Sequence, residues 1–315
     1  MKILIADDDA MSRRLLERTL EREGYEVTEV DNGCSALEQL SLRDGPRLAL
    51  LDWMMPKLDG PGVCLAIRRQ HDRPYIHIVL VTSRGSKQDI VSGLESGADD
   101  YLTKPWDPAE LMARLRVGQR ILDLQDRLVQ ASETMRFKAT HDPLTSLFNR
   151  GVIVDLLARE LARTRRENGC TIVMLGDVDR FKSVNDTLGH VVGDEVLREV
   201  ARRLLKSVRS YDFVGRYGGE EFLIVLNNCE SDQAMLRAEE VRNGIAIFPV
   251  QTGRGPLPIT MSVGVLSSRD WNLALVEEIL GEVDLALYRA KADGRDCVRL
   301  AKPIVPSGAP QQLVR

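Results

Sequence analysis

The sequence predicts two α/β domains of different topology joined by a helix. Its 315 residues suffice for two hydrophobic cores at about 150 residues per domain. The first 110 residues alternate short apolar runs with helical stretches, whereas the second half also contains two strands joined by one tight turn. Residues 107–140 hold helix formers without a break after Pro108. We therefore expect a doubly wound parallel sheet, a helical linker and an α+β sheet.

Composition excludes several classes of protein. The net charge of −4 and the pI of about 5.7 provide no basic face for nucleic acid or an anionic membrane. The five cysteines are odd in number and form no C-x-x-C pair, which argues against a disulfide framework and a zinc site. Without a long apolar run, we expect a cytoplasmic protein that lacks a signal peptide and a membrane span.

Five apolar runs, each followed by a helical stretch, predict the doubly wound sheet over residues 1–116. The runs are KILIA, EVTEV, LALLD, IHIVLVT and DYLTK. The helical stretches cover 12–23, 34–42, 61–70, 86–96 and 107 onward. In this fold, functional groups collect at the carboxyl ends of the strands.

Polar residues stand at those strand ends. Asp7 and Asp8 follow the first run, Asp52 ends the third, and Thr82 and Lys104 end the fourth and fifth. They predict an acidic pocket with a hydroxyl and an ammonium group beside it, which suits Mg²⁺. A solvated loop acid is the alternative for any single member, as it is for Asp9 or Asp59.

This pattern resembles the flavodoxin-like receiver domain of response regulators over about residues 1–120. The resemblance implies that Asp52 accepts a phosphoryl group from a sensor histidine kinase or phosphotransfer protein of a two-component phosphorelay. It also implies that Mg²⁺ is bound by Asp7, Asp8, Asp52 and the Met54 carbonyl. The implied switch residues are Thr82, Tyr101 and Lys104. A packing role is the alternative for Tyr101.

The linker over 117–140 carries apolar residues at alternating steps of four and three. They are Val117, Ile121, Leu124, Leu128, Ala131 and Met135. This spacing predicts a coiled-coil seam, which is short and further weakened by Gly118. The alternative is a helix that packs its apolar face on its own N-terminal domain.

The second half, 141–300, predicts a palm-like α+β sheet. The expected elements are helices at 151–166, 193–207, 231–246 and 273–292, strands TIVMLGDVD, ITMSVGVLS and DCVRLA, and the hairpin GRYGGEEFLIV. Residues NDTLGH predict a turn, in which Asp186 and His190 are structural. The tail 301–315 is predicted to be disordered.

Adjacent carboxylates at the hairpin turn need a reason, because Glu220 and Glu221 repel each other. Asp177 and Asp179 lie one residue apart at the end of a strand. If that strand pairs beside the hairpin, Asp177 meets Glu220, and a backbone carbonyl completes an oxygen-rich site for Mg²⁺ and phosphates.

The motif RYGGEEF resembles the GGDEF domain of diguanylate cyclases, together with DVDRFKSVNDTLGHVVGDEVL, DPLTSLFNR and YRAKADGRD over about 139–300. The resemblance implies condensation of two GTP into cyclic di-GMP and two pyrophosphates. It implies metal binding by Asp177, the Val178 carbonyl and Glu220, and catalysis by Glu220 and Glu221. The implied substrate-binding residues are Asn185 and Asp194 for guanine, and Phe181, Lys182, Gly218, Gly219, Lys291 and Arg295.

Simpler roles exist for some of these residues. Asn185 fits a turn, and Lys291 and Arg295 fit surface charges at a helix end. An R-x-x-D pattern, Arg209 and Asp212, stands at the position of the family's product-inhibition site. Two further candidates for an inhibitory contact are Arg237 and Arg242.

The chemistry requires two chains, since one such site holds one GTP and the product holds two guanylyl units. We therefore expect a homodimer, or a higher oligomer, formed when Asp52 is phosphorylated. The alternative function is a catalytically silent module that only binds cyclic di-GMP, although Asp177, Glu220, Glu221 and Lys291 are all present. A cyclase that uses another nucleotide is a third hypothesis, which ATP would test against GTP.

Overall fold

The computed structural model describes residues 1–70, 73–83, 87–270 and 275–301. It divides into two compact units, Met1–Glu133 and a second that begins at Thr134. Each unit has its own sheet and core. The predicted disordered tail after Ala301 lies outside the described residues, as do the expected helix starts at 86 and 273.

The first unit is a five-stranded parallel sheet between helices. In chain order its elements are β1 Lys2–Ala6, α1 Ala10–Arg22, β2 Glu26–Val30, α2 Gly33–Leu40, β3 Leu48–Asp52, α3 Gly60–Arg68, β4 His77–Thr82, α4 Lys87–Glu95, β5 Asp100–Thr103 and α5 Pro108–Thr140. The strand order is β2-β1-β3-β4-β5. This order confirms the flavodoxin-like prediction.

Both faces of this sheet are covered, which explains why β3 and β4 are apolar along their length. One layer buries side chains of α2 and α3, such as Leu40 and Val63. The other buries side chains of α1 and α5, such as Leu16 and Leu115. Asp9 accepts hydrogen bonds from the first turn of α1 and Asp59 from that of α3, so these two acids are helix caps.

Helix α5 has one face that packs on the first unit and another, the predicted seam, that is largely exposed. Leu111, Leu115, Gly118 and Leu122 are buried. The predicted seam is largely exposed in the single chain, and Met135 reaches 72% exposure. The predicted long helix is confirmed, whereas its pairing into a coiled coil stays a prediction.

The second unit contains a mixed sheet, in which the strands Met261–Ser267 and Val298–Leu300 are parallel and the other paired neighbours are antiparallel. Its elements are α6 Arg150–Glu167, β6 Thr171–Val178, α7 Phe181–Leu188, α8 His190–Ser207, β7 Phe213–Gly218, β8 Glu221–Asn227, α9 Ala234–Ala246, β9 Val250–Thr252, β10 Gly255–Leu257, β11 Met261–Ser267, α10 Val276–Ala292 and β12 Val298–Leu300. The sheet order β12-β11-β6-β8-β7 puts β6 at the centre, beside the hairpin. This topology confirms the α+β prediction.

The predicted turn over 185–190 is wrong. Asn185 and the three residues after it form the last turn of α7, and His190 begins α8. Only Gly189 interrupts the two helices, with φ of 88°. Asn185, Asp186 and Gly189 are typical turn residues, which explains the wrong prediction. Packing against α8 stabilises the helix instead. The small hairpin β9–β10 was not predicted.

Candidate functional site

The carboxyl ends of β1, β3 and β5 form an acidic pocket in the first unit. Asp7 and Asp52 are buried, with exposed fractions of 1% and 8%. Oxygens of Asp7, Asp8 and Asp52 lie within 4.8 Å of one another. The Lys104 Nζ lies 2.7 Å from Asp7 Oδ2 and 3.3 Å from Asp52 Oδ2. Three carboxylates at this spacing suit a hard cation such as Mg²⁺.

Burial and charge oppose each other in this pocket. Burial raises the pKa of Asp52, Lys104 lowers it, and Asp7 raises it again, with a net upward shift. Burial disfavours the charge of Lys104, but hydrogen bonds and charges from Asp7 and Asp52 outweigh it and raise the lysine pKa. The pocket therefore favours the charged form of Lys104, and it disfavours the charge of Asp52, which a proton, a cation or a covalent bond would neutralise.

The predicted switch residues lie on β4 and β5. Thr82 is buried and pairs with Thr103, and the Lys104 amide donates to its carbonyl. Tyr101 lies two residues before Thr103, half-buried, with the Arg114 guanidinium 5.3 Å from its ring centre. Met54 follows Asp52 by two residues and is exposed.

The central observation of the second unit is the environment of Asp177. It is 6% exposed near the end of β6 and stands directly opposite Glu221 of β8. Lys291, near the end of α10, places its Nζ 2.7 Å from Asp177 Oδ2. Residues distant in the sequence thus meet at one end of the sheet.

Burial and the neighbouring carboxylates at this end of the sheet raise the pKa values of Asp177 and Glu221. Burial raises the pKa of Asp177; Lys291 lowers it, and Glu220 and Asp179 raise it further. Burial also raises the pKa of Glu221, as does Asp177, while Lys291 lowers it. A divalent cation would relieve this repulsion.

Glu220 lies in the turn between β7 and β8, and its carbonyl accepts a hydrogen bond from Val178 N at 3.3 Å. The turn is open, since a Cβ on Gly218 or Gly219 would meet no described atom within 4 Å, and Gly219 has φ of 50°. The structure therefore brings Asp177, Val178 and Glu220 together, with free space beside the glycines.

The end of the second unit's sheet that holds Asp177 offers a different set of possible metal ligands from the acidic pocket of the first unit. Among the described ranges, the cluster of three carboxylates with oxygens within 4.8 Å is Asp7, Asp8 and Asp52, and the hairpin forms none. Asp177 instead binds Lys291. Two carboxylates and a backbone carbonyl still supply oxygen ligands that fit Mg²⁺, in a looser arrangement.

The two residues expected to contact guanine lie close together on α7 and α8. The Asn185 Oδ1 lies directly against Gly193, where a Cβ would collide with it, and Asp194 is the next residue. Asp194 is half-buried, and its Oδ2 lies 3.9 Å from Arg198 Nη2. Phe181 packs under the same glycine, whereas Lys182 is exposed in the first turn of α7.

The loop after α10 carries Arg295 with φ of 68°. Arg295 lines a cavity of about 450 Å³ together with Arg180, Thr187 and Leu257. The same loop is fixed through Asp179, whose oxygens accept from Thr260, Ser262 and the Asp296 amide. Asp179 is thus a structural anchor, and the structure does not bring Arg295 into contact with Asp177.

The R-x-x-D pair forms a turn before β7. Asp212 accepts from Arg209 N at 2.8 Å and from Asn227 N at 3.0 Å, so its carboxylate holds the turn to β8. The Arg209 guanidinium is exposed and donates to the Tyr211 hydroxyl. Of the two further arginines, Arg237 donates to the nearby Ser207 carbonyl. Arg242 instead binds Glu239, Asn243 and Asp296.

One contact of the glycine turn between β7 and β8 was not predicted from the sequence. Arg216 donates to the Gly219 carbonyl through Nε and Nη2, at 2.9 and 2.7 Å, and binds Asp142 through Nη1. Asp142 also accepts from Thr145 N and Oγ1. The D-x-x-T spacing is a local signal for that capping turn, but nothing local indicates its pairing with Arg216.

Family comparison decides the class of the protein. The profile described as "Diguanylate cyclase, GGDEF domain" matches residues 139–297, and that of the response regulator receiver domain matches 3–116. The chain belongs to the diguanylate cyclase GGDEF family. The sequence prediction of a receiver followed by a GGDEF domain is confirmed.

Relatives of the GGDEF chain share one or both domains. Response regulator PleD of Caulobacter vibrioides is 31% identical over 299 residues, which cover 94% of this chain and 65% of PleD. Diguanylate cyclase DgcP of Pseudomonas aeruginosa is 38% identical over 169 residues, 54% of this chain and 25% of DgcP. The chain thus spans less than two thirds of the length of either relative.

A solved structure supports the fold of this GGDEF chain. The coiled coil and GGDEF domain of DgcB from Caulobacter crescentus, in complex with c-di-GMP, aligns with a TM-score of 0.53 and 29% identity. It covers 61% of this chain and 99% of that one. Within the described ranges, every helix is too short or too polar to cross a membrane.

Proposed function

We propose that this protein is a two-component response regulator that condenses two GTP into cyclic di-GMP and two pyrophosphates. The observation that carries the proposal is the buried Asp177 carboxylate, which faces Glu221 and binds Lys291 beside an open glycine turn. Such an arrangement suits a triphosphate, because it joins metal-binding oxygens, a cation and space for a nucleotide. Family membership supports the same reaction.

Each half-site would hold one GTP. Asn185 and Asp194 would bind the guanine edge, where a carboxylate accepts from N1–H and the 2-amino group. Phe181 would support that pocket from below, and Lys182, Lys291 and Arg295 would attract the phosphates. Gly218 and Gly219 would let the backbone approach the nucleotide.

The chemical step is a nucleophilic displacement at phosphorus. The 3′-oxygen of one GTP attacks the α-phosphate of the other, the new P–O bond replaces the bond to the β-phosphate, and pyrophosphate leaves. Asp177, the Val178 carbonyl and Glu220 would hold the metal, and Glu221 would support that site. Glu220 would also help to take the proton of the 3′-hydroxyl. Mg²⁺ bound there would neutralise the triphosphate and the charge that develops on the leaving group. The step repeats with the roles of the two nucleotides exchanged.

Two chains would face each other so that both linkages form. The exposed seam of α5 supports this, since an apolar stripe on a long helix is suited to a second copy of the same helix. Tethering raises the local concentration of one GGDEF domain near another to about millimolar. A monomer would bind GTP without turnover.

The receiver would control this encounter. Asp52 would accept a phosphoryl group from a sensor histidine kinase or phosphotransfer protein, with Mg²⁺ at Asp7, Asp8 and the Met54 carbonyl offsetting the crowded charge. Lys104 would then bind a phosphoryl oxygen, and Thr82 and Tyr101 would rearrange. The observation in favour is the ammonium of Lys104, which lies within 3.3 Å of Asp52.

Product inhibition would act through the exposed Arg209, whose guanidinium could stack on guanine and bond to it. Both oxygens of Asp212 already hold the turn, so its contribution would be to position Arg209. Arg237 is the nearer of the two further candidates, because it binds the backbone just before this turn.

The decisive experiment incubates the full chain with GTP and Mg²⁺, with and without a phosphoryl mimic, and measures cyclic di-GMP and oligomer mass together. We expect product from GTP and not from ATP, more of it with the mimic, and a parallel rise in mass. Asp52→Asn should lose only the stimulation, and Glu220→Gln should lose turnover. Binding of cyclic di-GMP without any turnover would instead identify a silent effector module.

Inosine triphosphate refines the test, because its base lacks the 2-amino group. The wild-type chain should prefer GTP to this analogue by about one to two orders of magnitude, whereas Asp194→Asn should lose most of that preference. An unchanged preference in the variant would exclude Asp194 from guanine recognition.

A further inference from the structure

His77 is a buried histidine at the first position of β4. Its exposed fraction is 1%. Neither ring nitrogen has a hydrogen-bond partner in the ranges that the structure describes. A neutral imidazole carries one donor and one acceptor, and buried groups of this kind are nearly always paired. The ring is therefore held by packing alone.

The packing partner is Gly118 of α5. A Cβ on Gly118 would lie 2.9 Å from His77 Nε2 and 3.0 Å from its Cγ, and closer still to Cδ2. Leu115 and Leu122, about one turn to either side, are also buried. The missing side chain thus lets the helix backbone rest on the imidazole, which gives Gly118 a role other than weakening the seam.

The nearest carboxylate belongs to Asp99, before β5, with Oδ2 3.7 Å from His77 Nδ1. That oxygen already accepts from Arg68 Nη2 and Ile78 N at 2.8 and 2.7 Å. The other Asp99 oxygen accepts from the Tyr75 hydroxyl. A proton added to the imidazole would therefore find its closest acceptor engaged elsewhere.

The remaining charges that act on the ring are Asp100 of β5 and Arg68 of α3. Asp100 of β5 is bound by Arg114 of α5. Burial lowers the pKa of His77 below its usual value near 6.5. The charges of Asp99 and Asp100 raise this pKa and that of Arg68 lowers it, and the net shift stays downward. The imidazole is thus neutral at pH 7.

We propose that His77 is a proton-sensitive latch, which holds α5 on the first unit while its imidazole is neutral and releases the helix around Gly118 when it is charged. An imidazolium needs water or a free acceptor, but the ring is buried against the helix and the nearest oxygen, Asp99 Oδ2, already accepts two hydrogen bonds. A released His77 regains its ordinary pKa, so the packed state binds fewer protons. Packing therefore weakens as the pH falls through about 6.5. The same strand carries Thr82 at its other end, so the latch and the predicted switch share one element.

Hydrogen exchange on the full chain tests the latch. Amides of residues 111–126 are compared at about pH 7.5 and about pH 5.5, with rates corrected for the intrinsic pH dependence of exchange. We expect protection around Gly118 to fall measurably at the lower pH, by at most about tenfold, because a released imidazole with a pKa near 6.5 sets that limit over this pH interval. Protection that is equal at both values overturns the proposal, and this result needs no variant.

Variants locate the effect. His77→Leu should remove the pH dependence, whereas His190→Gln, at an exposed histidine of the second unit, should retain it. Gly118→Ala should lower protection already at about pH 7.5, because the added methyl group collides with the ring. The same pH dependence in His77→Leu as in the wild-type chain would overturn the latch. The readout is helix packing, so it is independent of the proposed cyclase reaction.

Discussion

Arg216 joins the carboxylate of Asp142 to the glycine turn of the candidate site. Its Nη1 lies 3.2 Å from Asp142 Oδ1, and its Nε and Nη2 both donate to the Gly219 carbonyl. Burial acts upward on the pKa of Asp142, but hydrogen bonds from Thr145 and the charge of Arg216 outweigh it and lower the pKa. A charged pair therefore fixes the backbone that carries Glu220.

Asp142→Ala should lower kcat for cyclic di-GMP formation by roughly ten- to hundredfold, since a misplaced reacting group costs about that much. The KM for GTP should change less, because Asn185 and Asp194 lie on other elements. Steady-state kinetics with GTP measure both constants. Asp155→Ala, which changes a carboxylate on α6, serves as the matched control and should leave kcat unaltered. Equal losses in the two variants would refute the positioning role.

Lys291 should contribute to stability as well as to catalysis. Lys291→Met would leave the buried Asp177 carboxylate without its cation, at a cost of about 1–3 kcal/mol after allowance for the partial exposure of the lysine. Lys182→Met, at an exposed position, should lower activity without this loss. Urea unfolding of both variants, combined with activity assays, separates the effects. Equal stability of the two variants would argue against the Asp177–Lys291 pair as a stabilising contact.

Features with a clear local sequence pattern could be predicted, whereas contacts between distant residues could not. Asp52 and Asp177 were located at strand ends because β3 and β6 are buried along their length and form continuous apolar runs. Helix α7 was missed because Asn185, Asp186 and Gly189 are typical turn residues. They outweighed the helical spacing of Phe181, Val184 and Leu188. The partner of Asp142 could not be predicted, since Arg216 lies 74 residues away and charged residues carry no pairing signal along the chain.

Metal binding by the second unit should weaken as the pH falls. Burial raises the folded-state pKa of Asp177 and Glu221 above their usual values of 3.8 and 4.5. Their ionised forms therefore cost stability at neutral pH, and this cost disappears as the pH falls through the raised values. Since Mg²⁺ requires the ionised forms, the rise in melting temperature caused by Mg²⁺ should shrink over the same range, beginning above pH 4.5.

Thermal melts of the chain with and without Mg²⁺ over a pH series measure this effect. Asp7→Asn combined with Asp52→Asn removes the receiver cluster, so that the remaining response belongs to the second unit. Glu221→Gln in that background should shift the onset of the loss to lower pH. A Mg²⁺ response that persists unchanged to about pH 4 would contradict the predicted proton competition.

Arg209 and Asp212 should behave differently on substitution, although they form one motif. Arg209→Ala removes an exposed guanidinium and should relieve inhibition by cyclic di-GMP while leaving the unfolding midpoint unchanged. Asp212→Ala removes the acceptor for Arg209 N and Asn227 N, so it should also lower stability by about 1–2 kcal/mol. Initial rates with added product and denaturant titrations make the comparison. Full inhibition in Arg209→Ala would exclude this motif as the product site.

The seam of α5 should determine assembly without affecting the fold of either unit. Leu128 is 66% exposed in the single chain, so Leu128→Glu loses little internal packing but places charge within a helix pair. We expect a smaller mass in the presence of the phosphoryl mimic and a cyclase rate that depends more steeply on protein concentration. Gln130→Glu adds the same charge two residues away, off the seam, and should preserve the wild-type mass. Sedimentation at several concentrations measures the assembly, and an unchanged mass for Leu128→Glu would show that the chains pair through another surface.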